Sequence, residues 1–102
     1  MNSKKAASLI GLSMKAGKIA SGEFATEKAV KQGTAYLVVT AVDASDNTKK
    51  KFENMCAYYQ VRLRSFLTKE ELGRAIGKEY RACLAVPDEN LARAIGKELN
   101  EK

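Results

Sequence analysis

Side chains able to take a proton, a metal or a covalent bond are scarce in this chain. It contains no histidine, so neither a Ser-His-Asp triad nor a Cys-His pair can be assembled. Cys56 and Cys83 are too far apart in sequence for a metal knuckle and have no histidine to complete a zinc site, so both read as reduced core thiols. The glycine-lysine pairs at 77–78 and 17–18 invite a phosphate-loop reading. Gly73 to Gly77 has three intervening residues where that loop needs four, and Glu79 stands in place of the metal-binding hydroxyl. Gly11 to Gly17 has five, followed after Lys18 by Ile19. Both are better read as helix-end glycines. Asp43 and Asp46 flank a cap site, and Glu70-Glu71 fall at a helix start, where negative charge is favoured anyway. No enzyme activity, metal or cofactor is expected.

What the chain does carry is positive charge. Lysine and arginine number 18 against 12 acidic residues, a net charge of +6, with a pI near 9.4. Polyanions are the natural partners of such a surface. The run Lys49-Lys50-Lys51 is conspicuous, but consecutive helix residues point in different directions, so it reads as a solvated face outside any site. Lys15 and Lys18 are better placed to extend an electrostatic footprint.

The elements that must position these charges follow from periodicity. Ala6, Leu9, Ile10 and Met14 recur at helical spacing, with Asn2 or Ser3 as cap and Gly17 as stop. An extended piece over 18–21 leads to a helix over 22–32, with Ser21 as its N-cap and Gly33 as its left-handed stop. The unbroken apolar run over 35–42 predicts a strand buried on both faces. Asp43 and Ser45 then supply turn and cap ahead of a lysine-rich helix through Phe52, Met55, Cys56 and Tyr59. Val61, Leu63 and Ser65 alternate with Arg62, Arg64 and Phe66, which predicts a strand near an edge. Thr68 and Glu71 have capping-box spacing before a short helix closed by Gly77. A strand over 80–86 and a last helix with Leu91, Ala92, Ile95 and Leu99 on one stripe complete the series. The hexapeptide Arg74-Ala75-Ile76-Gly77-Lys78-Glu79 recurs as Arg93-Ala94-Ile95-Gly96-Lys97-Glu98; two different predicted contexts make it no repeat architecture.

Alternating strands and helices require crossovers, which place parallel strands in one sheet with helices on both faces. At 102 residues, 45% hydrophobic and with one proline, a single domain over 1–102 is expected. Ser8, Ser13 and Lys15 break any signal-peptide core, and no run approaches a membrane span. A cytoplasmic, monomeric protein without membrane contact is the expectation.

Ser21-Gly22-Glu23, the run Lys28-Ala29-Val30-Lys31-Gln32-Gly33-Thr34-Ala35-Tyr36-Leu37-Val38-Val39, Asp43-Ala44-Ser45-Asp46-Asn47-Thr48-Lys49-Lys50, and Leu72-Gly73-Arg74-Ala75-Ile76-Gly77-Lys78-Glu79 together resemble the L-seven-Ae / L-thirty-e ribosomal protein superfamily. Gly11-Leu12-Ser13-Met14-Lys15-Ala16-Gly17-Lys18 makes the likeness greatest to its bacterial YlxQ-type branch. The resemblance implies a three-layer α/β/α sandwich around a mixed, mostly four-stranded sheet. It also implies a non-catalytic RNA-binding protein whose ligand is the kink-turn, a sharply bent helix-bulge-helix with sheared G·A pairs, in a ribonucleoprotein such as the ribosome.

The resemblance further implies that the start of the second helix enters the RNA, which designates Gly22, Glu23, Phe24, Ala25 and Lys28. A second contact is implied in the loop before the last strand, with Lys78, Tyr80 and Arg81, and Asp43 at a flanking loop; Lys18 extends the basic footprint. This chain departs from the pattern where many relatives carry Asn-Glu, having Phe24-Ala25 instead. Phe24 either stacks on an exposed base or packs under the loop, and Tyr80 either stacks or packs with its strand. A protein-interaction adaptor that keeps the fold with weak RNA binding is the alternative.

Overall fold

Short polar side chains that accept a hydrogen bond from the first turn set most helix starts along this chain. The computed structural model describes residues 2–99; residue 1 and residues 100–102 of the expected domain lie outside the described residues. The elements are α1 (Ser3–Lys15), β1 (Ala20–Ser21), α2 (Glu23–Lys31), β2 (Leu37–Thr40), α3 (Asp46–Tyr59), β3 (Arg62–Ser65), α4 (Lys69–Ala75), β4 (Cys83–Val86) and α5 (Glu89–Glu98). Asn2, Ser45, Thr68 and Asp88 cap α1, α3, α4 and α5, and Thr68 with Glu71 forms the full reciprocal box.

The four strands lie in the order β1-β4-β2-β3. Successive side chains of a strand point to opposite faces, and both faces of the two central strands are apolar. Leu37, Val39, Leu84 and Val86 join Ile10 of α1, Leu72 of α4 and Ile95 of α5 in one core. Val38, Cys83 and Ala85 join Ala29 and Val30 of α2 and Phe52 and Cys56 of α3 in the other. This is the expected three-layer sandwich on a mixed sheet. Each large side chain fully buried here, such as Phe52 or Ile95, contributes roughly 1.5–3 kcal/mol through removal from water. Burial also pushes the free thiols of Cys56 and Cys83 up to about 11, so neither acts as a nucleophile near neutral pH.

Three features differ from the sequence expectation. The strands over 35–42 and 80–86 shorten to Leu37–Thr40 and Cys83–Val86, leaving Val42 and Tyr80 in loops. Parallel pairing holds for β2 with β3, whereas β4 runs antiparallel to both β1 and β2. The cause is the segment between β3 and β4. A seven-residue helix is only about 10 Å long, and the chain folds straight back over it: Lys78 N–H donates to the Gly73 carbonyl at 2.8 Å and Arg81 N–H to the Lys69 carbonyl at 3.1 Å. The chain therefore enters β4 from the end at which it left β3. Finally, Gly73 is not a helix-end glycine. It lies inside α4, buried, where the backbone of Glu79 and Tyr80 crosses it.

A Cβ on residue 73 would stand 2.6 Å from the Glu79 carbonyl oxygen and 2.8 Å from the Tyr80 nitrogen. Because the obstruction is backbone, Gly73→Ala is expected to lower stability by about 1–3 kcal/mol through overpacking. Gly11→Ala, with its single contact at 3.1 Å to the Ala75 carbonyl, should cost less, since alanine favours the helix. Urea denaturation of the two variants checks the ranking.

Candidate nucleic-acid interface

β1, β2 and β3 all run in one direction, since β1 and β2 are each antiparallel to β4 and β3 is parallel to β2. Each of the three passes directly into a helix, so the N-termini of α2, α3 and α4 gather at one end of the sheet. The returning loop before β4 ends there too. Helix N-termini carry partial positive charge and backbone donors, so this end suits an anion.

Two of the three helix starts are satisfied from within. Ser45 accepts from Thr48 N–H at 3.2 Å and its hydroxyl donates to Thr48 Oγ1 at 3.0 Å; Thr48 in turn donates to the Glu23 carboxylate. Asp43 Oδ1 accepts from Lys69 N–H at 2.7 Å, at the first turn of α4. The third start, α2, has no side-chain cap. Ser21, the expected cap, is held in β1 opposite Leu84, and its hydroxyl meets Arg81 Nε at 3.4 Å. The cap position falls to Gly22, at φ +91° and ψ 165°, a region open essentially to glycine alone. Gly22 N–H is bonded to the Cys83 carbonyl, which fixes the start of α2 against β4.

Around this uncapped start the structure gathers Gly22, Glu23, Ala25 and Arg81. The Arg81 guanidinium also donates to the Tyr80 carbonyl at 2.7 Å, which ties it to the loop. Phe24 and Lys28 lie one turn apart on the outer flank of α2. Phe24 is 82% exposed, so its ring does not pack under the loop. Lys78 and Tyr80 instead border a shallow cleft with Glu70 and Arg74 on the side of α4, and Tyr80 is 60% exposed rather than packed in a strand. Glu23 and Asp43 hold neighbouring helix starts together. Lys18 precedes β1 and is therefore displaced from Gly22 toward the opposite end of the sheet.

Sequence reasoning missed two contributors. Val42 was counted into the buried strand, but it is exposed beside Asp43 and adds an apolar group at this end. Its position against a turn residue was the available signal. Lys51 is exposed, as its place in a solvated run led one to expect, but it also bonds Glu27 of α2 at 2.6 Å, which ties α2 to α3, and lies 5.6 Å from the Phe52 ring centroid. Lys31 reaches the same carboxylate at 2.8 Å. Hydrogen bonds from Lys31 and then Lys51 hold Glu27 down from the usual 4.5 to about 2, and both lysines are raised in return. Among the described residues no group of three or more His, Cys, Asp or Glu could hold a metal ion, and no helix is long and apolar enough to cross a membrane.

Comparison with known proteins gives a single direction. The model of the ribosomal protein L7Ae/L30e/S12e/Gadd45 family matches residues 4–96. The RNA-binding protein YlxQ of Bacillus subtilis (strain 168) is 40% identical over 87 residues, covering 85% of this chain and 87% of that protein. The RNA-binding protein YlxQ of Enterococcus faecium is 39% identical over 100 residues, covering 98% and 95%. A solved structure of a protein with unknown function from Bacillus halodurans C superposes with a TM-score of 0.91 at 36% identity, over 95% of this chain and 98% of that one.

Two measurements test the geometry of this end. Gly22→Ala forces an L-residue into a glycine conformation and should cost about 1–3 kcal/mol in a denaturant melt. Glu27 titrates lower in the folded chain than in the unfolded one, so its stabilisation is complete above about 4.5 and is lost as pH falls toward about 2. The stability-pH profile of Glu27→Gln should be flatter than that of the unmodified protein in that window and parallel to it above.

Proposed function

Because this chain belongs to the ribosomal protein L7Ae/L30e/S12e/Gadd45 family, we propose that it binds structured RNA of the kink-turn type and stabilises the bent form within a ribonucleoprotein. Ribosomal RNA is one candidate, and the cytoplasm is the proposed location. One observation carries the reading: among the five helices described, α2 alone starts without a side-chain cap, and Arg81 stands beside that start. Backbone donors at a helix start and a guanidinium fork both recognise phosphate oxygens. Gly22 has no side chain to hold a ligand away from the backbone.

Kinked RNA suits such a surface better than a regular duplex does. An A-form major groove is too deep and narrow for side chains, whereas a bent junction crowds phosphates and exposes base edges. Lys28 can reach a phosphate oxygen, or guanine O6 or N7, from the flank of α2. The 82% exposure of Phe24 supports a stacking role where many relatives carry a polar pair, so shape and charge dominate over base reading here. A ligand that binds the bent form better than the extended one shifts the RNA toward bending by that difference in affinity.

The test uses a kink-turn RNA labelled across its bend and an otherwise identical hairpin without the G·A pairs. The bent RNA is expected to bind more tightly and to close on binding; equal affinity for both would reject kink-turn recognition. In a salt titration Lys28→Ala should lower the slope of log K against log salt by about one unit. An unchanged slope would remove Lys28 from the phosphate contacts.

A further inference from the structure

The end of the molecule opposite the helix starts carries a second surface that the proposed function leaves unused. There α2 ends, β2 begins, α3 closes at Gln60 in a left-handed conformation (φ +59°) and α5 begins. A cleft of about 400 Å³ opens between them, lined among others by Tyr36, Tyr59, Gln60, Arg62, Arg93 and Glu89. Tyr36 is 48% exposed and Tyr59 41%; Tyr58, at 80%, stands edge-on to Tyr59 with ring centroids 4.9 Å apart. Scattered exposed aromatics are ordinary, but two lining one cleft, with a third against one of them, form a patch with the character of a binding site.

Charge and continuity identify the occupant. Arg93 borders the cleft and pairs with Glu89 at 3.5 Å, and on the flank of α2 that leads to it Lys28 stands beside Lys31 and Lys51, which share the Glu27 carboxylate. Lys31, paired with Glu27 at 2.8 Å, keeps half of its side chain exposed in the last turn of α2. Between the two ends runs the outer flank of α2, where Phe24, Glu27, Lys28, Lys31 and Gln32 border a shallow groove of about 280 Å³. Nine residues of helix span about 14 Å, so a strand leaving the α2 start along Lys28 and Lys31 reaches the tyrosines within a few nucleotides. Tyrosine faces stack on any base, and flanking cations take the phosphates.

We propose that this tyrosine-lined cleft is a second RNA contact, taking one or two unpaired nucleotides of the single strand that flanks the structured element, with bases on Tyr36 and Tyr59 and phosphates at Arg93 and Lys31. The inference rests on the RNA-binding reading above and extends its footprint along α2 to the far end.

The binding test compares a kink-turn RNA with and without a single-stranded oligouridine tail. The tail should tighten binding about tenfold, the effect of one stacked base. The double variant Tyr36→Ala with Tyr59→Ala should lose that gain and keep its affinity for the tail-less RNA. Arg93→Glu, at an exposed side chain that leaves the core intact, should reduce the gain as well. A tail without effect, or a gain that survives in both variants, overturns the proposal.

A direct readout separates this inference from the primary one. The chain has four tyrosines and no tryptophan, so in Tyr80→Phe the remaining ring fluorescence comes from Tyr36, Tyr58 and Tyr59. Quenching by a short oligouridylate alone supports the cleft even where kink-turn binding fails. Absence of quenching, or quenching only by an acidic peptide, rejects it even where kink-turn binding succeeds.

Discussion

The architecture turns on the close crossing of two backbones at Gly73. The chain leaving α4 must reverse within a few residues, and it does so by lying directly on the helix it has just made, with Lys78 bonded to Gly73 and Arg81 to Lys69. No side chain other than hydrogen fits between them. This reversal makes β4 antiparallel to its neighbours. It also brings Arg81 to the end of the sheet where three helices start, within reach of Ser21 in a strand sixty residues earlier. Had α4 run long enough to carry the chain to the other end, β4 would pair in parallel and its entry loop would sit at the opposite pole.

Polar groups at that end divide into those used internally and those left available. Ser45, Thr48 and Glu23 form one relay, and Asp43 reaches across to α4. Each satisfies donors that would otherwise need water or a ligand. Their effect is to lock the relative positions of α2, α3 and α4 while leaving the α2 start uncapped. Acidic residues near an anion site would ordinarily oppose binding; here Glu23 and Asp43 are bound by internal donors, and the neighbouring cation is Arg81.

α2 is the element on which both ends depend. Its buried face, Thr26, Ala29 and Val30, packs against the sheet, and the Glu27 carboxylate ties it to α3 through Lys51. Its outer face carries Phe24, Lys28 and Lys31 as an unbroken stripe at helical spacing. A rigid strut with backbone donors at one end and tyrosines near the other fixes the separation of the two proposed contacts without any moving part. The preorganisation is useful because ordering a ligand-binding loop on association would subtract from affinity.

Much of this could be read from residue order alone. Apolar patterning marked four of the five helices and the strands over 35–42 and 61–66, the stop at Gly33 marked the remaining helix, and the spacing of Thr68 and Glu71 or the position of Ser45 named the caps, because these are local interactions within one helical turn. The motif set marked the family, and the excess of lysine and arginine pointed to a polyanion as the ligand to propose. Long-range placement was not legible. Ser21 looked like a cap until its pairing with Leu84 turned it to Arg81, and Val42 looked buried until the strand proved to end at Thr40. The repeated hexapeptide makes the reason plain: Gly77 takes φ +74° and ends a helix, while the matching Gly96 lies buried inside α5. Identical local preferences were resolved differently because what each segment packs against, a returning backbone in one case and the sheet in the other, is a property of the folded chain and not of its order.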